Sequence, residues 1–191
     1  MTTYPEIYVL RHVETVWNRE GRWQGSLDSP LTEMGRAHAV EMGARLGAEG
    51  VSATTHVAWS SPQGRALRTC ELALKPLGIG AEPCDGLREI GIGEWTGMTL
   101  DEMRAGWPDF NLGGWIDVYS KAPGGEGFEA LWERAGLILA HLRQPTIIVT
   151  HGITSRILRT RAMGLSLADM EDLPGGQGVI HHIQDGVHRT F

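Results

Sequence analysis

The sequence has no apolar run approaching the roughly 20 residues that cross a bilayer, so we expect no membrane-spanning helix. Its N-terminus has no basic region followed by an apolar stretch, so we expect no signal peptide and a cytoplasmic protein. Cysteine is scarce as well. Cys70 and Cys84 match no metal or redox spacing, and we expect both to be reduced structural thiols.

Positive charge is in the minority, with 17 Lys and Arg against 23 Asp and Glu, and the formal net charge is -6. This balance argues against nucleic acid or an anionic membrane as a partner. The apolar fraction of 41% and the charged fraction of 21% are ordinary for a globular protein, which excludes a disordered class. A phosphate site in such an acidic chain would therefore need a local cluster of cationic side chains.

Fully apolar segments alternate with segments of helical periodicity. Residues 7–10 and 146–149 are almost entirely apolar, which is typical of strands buried on both faces of a parallel sheet. Thr32 is a candidate N-cap, and Asp185-Gly186 is a hairpin turn signal. Further helices are predicted over residues 66–77, 128–142 and the segment after 151. This alternation predicts an α/β fold with three layers: a mainly parallel central sheet with helices on both faces.

The stretch from about 95 to 126 is rich in Gly, Pro and Trp, and its periodicity is poor. We interpret it as an irregular insertion beside the active site, within a single domain covering residues 1–191. Its tryptophans are expected to pack the insertion, although Trp107 or Trp115 is a candidate to face an organic leaving group.

Two histidines follow predicted strands directly: His12 after residues 7–10 and His151 after residues 146–149. Arg11 precedes the first, and Arg65 follows another short strand. Ligand sites of parallel sheets lie at the carboxyl edge of the strands. If neighbouring strands carry these residues, two imidazoles and two guanidiniums surround one small volume.

Such a volume suits a phosphoryl group, because arginine binds its oxygens bidentately and a neutral imidazole can attack phosphorus. A carboxylic acid must protonate the leaving alkoxide, and Glu89 is the candidate. Each residue also has a structural interpretation: either histidine could be a hydrogen-bonded structural residue, and Glu89 a surface carboxylate paired with Arg88. Their joint placement at equivalent points of the topology favours the chemical interpretation.

Six segments, in order, resemble motifs of the histidine phosphatase superfamily, the phosphoglycerate mutase-like proteins. Residues 11–18, Arg-His-Val-Glu-Thr-Val-Trp-Asn, are similar to the signature R-H-G-E-T-x-W-N. The other five segments are residues 24–35, 60–69, 87–95, 123–126 and 149–152. One short motif would be weak, whereas six in the family's order are specific.

The resemblance implies a role for each matching position. His12 is the residue that becomes phosphorylated, and Glu89 is the general acid. The catalytic set is completed by Arg11, Arg65 and His151. The implied substrate-binding residues are Arg11, Asn18, Gln24, Arg65, His151 and Gly152. The chemistry requires no metal and no cofactor, and the expected partner is a small-molecule phosphate ester.

The chain departs from the family pattern at Val13, where a glycine is usual. Val13 would be strained if that position needs positive φ, or would crowd the phosphate if the phosphate approaches closely. Gly127 also replaces a usual Ser or Thr before a helix, which costs only a few tenths of a kcal/mol in capping.

His181, His182 and His188 suggest a metal site. Adjacent residues of a strand face opposite sides, so His181 and His182 cannot easily share an ion, and we expect no metal there.

Hydrolysis and mutase chemistry share the phosphohistidine step. Mutases of the family carry a cationic cluster in the insertion, whereas here the insertion holds only Arg104 and Lys121. The resemblance is closer to the phosphatase branch, which includes α-ribazole phosphatase.

The expected function is therefore a small-molecule phosphomonoesterase. The alternatives are a cofactor-dependent mutase and a phosphate-ester-binding protein impaired by Val13. The sequence leaves the oligomeric state and the leaving group open.

Overall fold

The computed structural model describes residues 4–191 and contains a six-stranded sheet with the order β3-β2-β4-β1-β5-β6. The strands are β1 (Ile7–Arg11), β2 (Val57–Ser60), β3 (Ala81–Pro83), β4 (Thr146–Thr150), β5 (Ile180–Gln184) and β6 (Val187–Thr190). The helices are α1 (Val16–Arg19), α2 (Glu33–Ala48), α3 (Gly64–Leu74), α4 (Leu100–Gly106), α5 (Trp115–Lys121), α6 (Phe128–His141) and α7 (Gly152–Ala162). Short 3₁₀ segments cover Lys75–Leu77, Asp85–Leu87, Gly93–Trp95, Pro108–Phe110 and Leu167–Asp172. Within residues 4–191, no helix combines the length and apolar character needed to cross a membrane.

The four strands β3, β2, β4 and β1 are parallel, and the hairpin β5–β6 adds an antiparallel edge beside β1. In the register of the sheet, Arg11 lies opposite Thr150, and Ser60 lies opposite Val149. The strands β1, β4 and β2 are therefore adjacent and end together. This arrangement confirms the mainly parallel α/β sheet and brings the three predicted loops to one edge.

Alternate residues of β1 face two separate apolar cores. Ile7 and Val9 pack with residues of α6 and α7 on one face of the sheet. Tyr8 and Leu10 pack with residues of α2 and α3 on the other face. The predicted three layers are confirmed, and the fully apolar pattern of β1 follows from burial on both faces.

The structure confirms the predicted helix cap at Thr32 and the predicted hairpin turn at Asp185-Gly186. Thr32 caps α2, since its hydroxyl accepts a hydrogen bond from the backbone N–H of Gly35 at 2.9 Å. Asp185 and Gly186 have φ values of 52° and 77°, which are those of the tight turn joining two antiparallel strands.

The expectation of an irregular segment at 95–126 is wrong. The segment contains α4 and α5, which pack with buried Trp95 around a small apolar core of their own. Thr99 caps α4 in a reciprocal pair of hydrogen bonds with Glu102. Each helix has only 7 residues, two turns, which is too short to give a recognisable periodic stripe. For the same reason the sequence did not predict α1, which has four residues and lies in the segment predicted as a loop.

Candidate active site

A cavity of about 370 Å³ lies at the carboxyl edge of the sheet, beside the ends of β1 and β4. The residues predicted from the sequence that line it are Arg11, His12, Asn18, Gln24, Arg65, Glu89 and Gly152. The structure thus brings together seven residues that lie as far apart as positions 11 and 152. Of the predicted site residues, His151 alone does not line the cavity.

His12 lies in the cavity wall with only 3% of its surface exposed. Its Nδ1 lies 2.9 Å from the carbonyl oxygen of Val13, and because a carbonyl can only accept, Nδ1 carries the hydrogen. The lone pair is therefore on Nε2. Burial, with Arg11 and Arg65 nearby, holds the pKa of His12 well below its usual 6.5. The structure presents a neutral imidazole of fixed tautomer, which is the form that a nucleophile requires.

His151 is fully buried beside His12, with 5.2 Å between the ring centroids. Its Nε2 lies 2.7 Å from the hydroxyl of Ser61, and among the described residues its Nδ1 has no partner. Burial lowers the pKa of His151 strongly, and Arg65 and His12 act in the same direction. Because both pKa values are lowered, we expect both imidazoles to be uncharged at neutral pH. Contact between His151 and a phosphate stays a prediction.

Arg65 is anchored to the loop before α2 by three of its five N–H donors. Nη1 donates to the carbonyl of Leu27 at 2.6 Å and to Asp28 at 2.8 Å, and Nη2 donates to the carbonyl of Gly25 at 2.9 Å. Among the described residues Nε has no partner and Nη2 has one, and these two nitrogens lie along one edge of the guanidinium. That edge matches two oxygens of a phosphate. Asp28 also holds the start of α3, since it accepts from the N–H of Gly64 at 2.7 Å.

Arg11 supplies the second guanidinium. Within residues 4–191, its buried Nε has no hydrogen-bond partner and no carboxylate lies within 4.0 Å of it. Its Cζ would lie 3.3 Å from a Cβ added to Gly152, which is a crowded distance. Glycine at the start of α7 therefore leaves room for the Arg11 guanidinium.

Glu89 lies in the loop after the 3₁₀ segment Asp85–Leu87, and its carboxylate lines the cavity next to the N-terminus of α7. Oε1 accepts from the N–H and the hydroxyl of Thr154 at 3.1 and 3.0 Å, and Oε2 accepts from the N–H of Ile153 at 3.3 Å. Its own N–H donates to the side chain of Gln63 at 2.8 Å. These contacts fix the carboxylate in the wall of the cavity that Arg11 and Arg65 also line.

Asn18 and Gln24 lie at the cavity rim through contacts with Thr15. The Asn18 side-chain oxygen accepts from Thr15 and from Gln177 at 2.8 Å, which leaves its amide hydrogens for a ligand. Gln24 donates to the Thr15 hydroxyl at 2.9 Å.

Sequence reasoning missed several residues that line the cavity: Gly21, Arg22, Trp23, Tyr119, Ser155, Arg156, Arg159, Gly175, Gly176 and His181. The sequence could have indicated three of these residues. Ser155, Arg156 and Arg159 follow Gly152 at helical spacing, which places all four on one face of α7. Tyr119 gave no such signal, since α5 was not predicted. Trp115, a candidate from the sequence, does line the cavity.

Val13 is neither strained nor in contact with the cavity. Among the non-glycine residues that the structure describes, only Asn111 and Asp185 have positive φ. The Val13 side chain is 0% exposed and packs in the apolar core between the sheet and α2 and α3. Its N–H donates to the hydroxyl of Thr69 at 3.2 Å. Neither the strain nor the crowding considered for this position occurs, because Val13 has no positive φ and its side chain lies in the core, outside the cavity lining.

Replacing Val13 with glycine should lower the free energy of unfolding by about 3 kcal/mol, since it removes a buried side chain and frees the unfolded backbone. kcat/KM for phosphate esters should change by less than about threefold. Urea unfolding and steady-state kinetics measure the two effects, and Val40→Gly at a half-exposed helical position separates the backbone cost. A tenfold gain in kcat/KM would show that the valine restricts the phosphate site after all.

The histidine phosphatase superfamily (branch 1) model matches residues 7–186, nearly the whole chain. The chain belongs to the histidine phosphatase superfamily. As a member, it is an enzyme of phosphate-ester chemistry, which agrees with the two arginines and the neutral histidine in the cavity.

Members with sequence and structural similarity carry different names. The chain is 34% identical over 168 residues to the probable phosphoglycerate mutase GpmB of Salmonella paratyphi B, covering 84% of this chain and 75% of the mutase. Bacillus stearothermophilus YhfR superposes with a TM-score of 0.78 at 33% identity, over 97% of this chain and 94% of YhfR. A mycobacterial glucosyl-3-phosphoglycerate phosphatase gives a TM-score of 0.81 at 27% identity, over 98% and 97% of the two chains.

Proposed function

We propose that this histidine phosphatase superfamily protein is a phosphomonoesterase that hydrolyses a small-molecule phosphate ester through a phosphohistidine on His12. The observation that carries the proposal is the neutral imidazole of His12, with its Nε2 lone pair available, beside Arg11 and Arg65. A cavity of about 370 Å³ is the size of a small-molecule site.

In the first step, Nε2 of His12 attacks phosphorus in line, and the bond between phosphorus and the ester oxygen breaks. The electron pair leaves with that oxygen, which takes a proton from the carboxylic acid of Glu89. In the second step, Glu89 removes a proton from water, the water oxygen attacks phosphorus, and the bond to Nε2 breaks. Inorganic phosphate and the alcohol are the products, and both side chains return to their starting states.

Arg11 and Arg65 stabilise the negative charge on the equatorial oxygens during both steps. Arg65 is held in place by Gly25, Leu27 and Asp28 before any ligand binds, so its free edge needs little reorganisation. His12 and Arg65 are almost completely buried, and the lower local dielectric strengthens their electrostatic interactions with a bound phosphoryl group.

Mutase activity is the second candidate, favoured by the 34% identity to the probable phosphoglycerate mutase. Two contacts argue against it. Arg104 donates to the carbonyl of Leu112 at 3.0 Å, and Lys121 pairs with Asp117 at 2.8 Å. Neither cation lines the cavity, so the insertion brings no positive charge to the substrate. A protein that only binds esters is disfavoured, because Val13 lies outside the cavity.

A panel of small phosphate monoesters should therefore yield inorganic phosphate with at least one ester, and phosphoglycerate should not be isomerised. Phosphate release is followed colorimetrically, and isomerisation by phosphorus NMR. Since the positive charge of the site comes from Arg11 and Arg65, excess chelator should leave the rate unchanged.

The inactive control for this panel is the His12→Ala variant, which retains both arginines. Isomerisation of phosphoglycerate without net phosphate release would establish the mutase instead. A rate that collapses with chelator and returns with a divalent ion would mean that a metal supplies the charge.

A further inference from the structure

A second group of cations lines the cavity beyond the phosphate-binding residues. Arg156 and Arg159 lie on the same face of α7 as Gly152, and they are joined by Arg22 on the opposite side. Five arginines and one carboxylate, Glu89, therefore line this cavity of a protein whose net charge is -6. Two arginines suffice for one phosphoryl group, so the positive charge exceeds the need of that group.

Arg159 is 1% exposed, and one of its terminal nitrogens is unused. Nε donates to the carbonyl and the hydroxyl of Ser155, both at 3.2 Å, and Nη2 donates to the carbonyl of Pro174 at 2.8 Å. Nη1 has no hydrogen-bond partner among the described residues. Burial and the neighbouring Arg156 lower the pKa of Arg159 to about 9, so it stays charged at neutral pH. A buried donor without an acceptor is unfavourable, and a ligand oxygen would remove that cost.

Arg156 is also without a carboxylate. Its guanidinium lies 5.2 Å from the ring centroid of Trp115, and Nη1 donates to backbone carbonyls of the segment after α7, including Met170 at 3.3 Å. In the part of the chain that is described, no Asp or Glu oxygen lies within 4.0 Å of Arg156 or Arg159. By contrast, Arg22 is paired with Glu102 at 2.9 Å. The two arginines of α7 thus keep their full positive charge.

The positive charge of Arg159 contributes to a lowered pKa of His181. His181 lines the cavity from β5, and burial, followed by Arg159 and His188, lowers its pKa to about 3. Its neighbour His182 contacts Glu6 at 2.7 Å on the other side of the strand, whereas the Nδ1 of His181 lies 3.3 Å from both His188 and the hydroxyl of Thr190 on β6. A neutral imidazole does not compete with the arginines for an anion.

We propose that Arg159 and Arg156 form a second anion subsite, so that the substrate is a phosphomonoester whose organic part carries a carboxylate or a second phosphate. The subsite deepens the hydrolase assignment and rests on it for the identity of the first group. Gly152, Ser155, Arg156 and Arg159 follow one another along one helix face. The phosphoryl group lies at the Gly152 end beside Arg11, and the second anion lies further along α7.

Binding of inert analogues tests the subsite independently of catalysis. Alkyl phosphonates with two to six methylenes are prepared in three forms, ending in a carboxylate, a second phosphonate or a neutral amide. Calorimetry on the wild-type protein should show at least one chain length at which an anionic end binds about tenfold tighter than the amide, the size of one charged hydrogen bond. The carboxylate and phosphonate arms distinguish the two kinds of anion.

The Arg159→Gln variant should bring this ratio close to one, and Arg156→Gln should lower it. Arg161→Gln is the matched control, because Arg161 lies on the same helix but donates to the carbonyl of Trp132 outside the cavity. If Arg159→Gln fails to fold, the wild-type ratio and the Arg156→Gln variant decide. Ratios within about twofold of one at every chain length in the wild-type protein overturn the proposal and leave Arg159 as a structural arginine.

Hydrolysis is measured separately, with the corresponding phosphate esters. Anion-selective binding without phosphate release would support the subsite and refute the hydrolase. Phosphate release from neutral and anionic esters alike, with no preference in binding, would do the reverse.

Discussion

Replacing His12 with alanine should reduce phosphate release by a factor on the order of 10⁴ or more, as loss of a covalent nucleophile does elsewhere. Without the imidazole, the group that accepts the phosphoryl group in the proposed first step is missing. Rapid quenching with ³²P-labelled substrate should trap an acid-labile, base-stable adduct on the wild-type protein and none on the variant. Residual turnover of the ester then measures what the arginines achieve with water alone.

His141→Ala is the matched control for this substitution, because His141 is exposed at the end of α6. Both variants should keep the wild-type circular dichroism spectrum. The folded-state pKa of His12 is lowered well below 6.5, so the neutral nucleophile persists as pH falls through that value. Formation of the adduct should therefore not decline between about pH 7 and pH 6. Ordinary turnover by His12→Ala would refute the phosphohistidine mechanism.

Replacing Arg65 with alanine should lower kcat by about 10²–10³, the usual effect of removing one preorganised donor to a transition-state oxyanion. The substitution should also cost about 2 kcal/mol of stability, because the carbonyl of Leu27 and the carboxylate of Asp28 lose the Arg65 donor, while the carbonyl of Gly25 keeps its hydrogen bond from Gln63. Single-turnover kinetics and urea unfolding separate the two effects. Arg65→Lys should recover little activity, since lysine cannot present the edge that Arg65 leaves free.

Arg68→Ala provides the comparison on the same helix, since Arg68 is exposed and, within residues 4–191, pairs with Glu71 alone, at 2.6 Å. An exposed pair of this kind contributes little, so both kcat and stability should stay close to wild type. If Arg65→Ala retained kcat within about threefold, Arg65 would be a structural anchor of the loop around Gly25, and Arg11 alone would bind the phosphate.

Several parts of the site were predictable because their signals are local. His12 follows a fully apolar strand, and Arg65 begins a helix after another strand, so each could be placed at the carboxyl edge of a parallel sheet. Their neighbourhood also depends on the strand order β2-β4-β1, which no local pattern predicts and which the structure supplies. Glu89 was found through its motif, whereas its anchoring by Ile153 and Thr154 was not visible.

Other features depend on distant contacts that no local pattern encodes. The helices α4 and α5 form because Trp95 gives them a core to pack on, and they bring Tyr119 to the cavity. Val13 stands at a position where the family usually has glycine, and only the structure shows that its side chain enters the core. The buried state of His151 is equally a property of packing.

The sequence by itself determined the fold class, the family and the position of His12 at the end of a strand, because buried strands, helix periodicity and ordered motifs depend on neighbouring residues. The tertiary structure decided which groups surround His12. Whether a charged side chain meets a carboxylate, a carbonyl or an empty cavity depends on residues far away in the chain. Arg65 and Arg159 illustrate this, since both are arginines on helices: Arg65 pairs with the carboxylate of Asp28, whereas Arg159 donates to Ser155 and to the carbonyl of Pro174. Burial makes this difference relevant to binding. A donor without a partner, such as Nη1 of Arg159 among the described residues, is costly only where water is excluded.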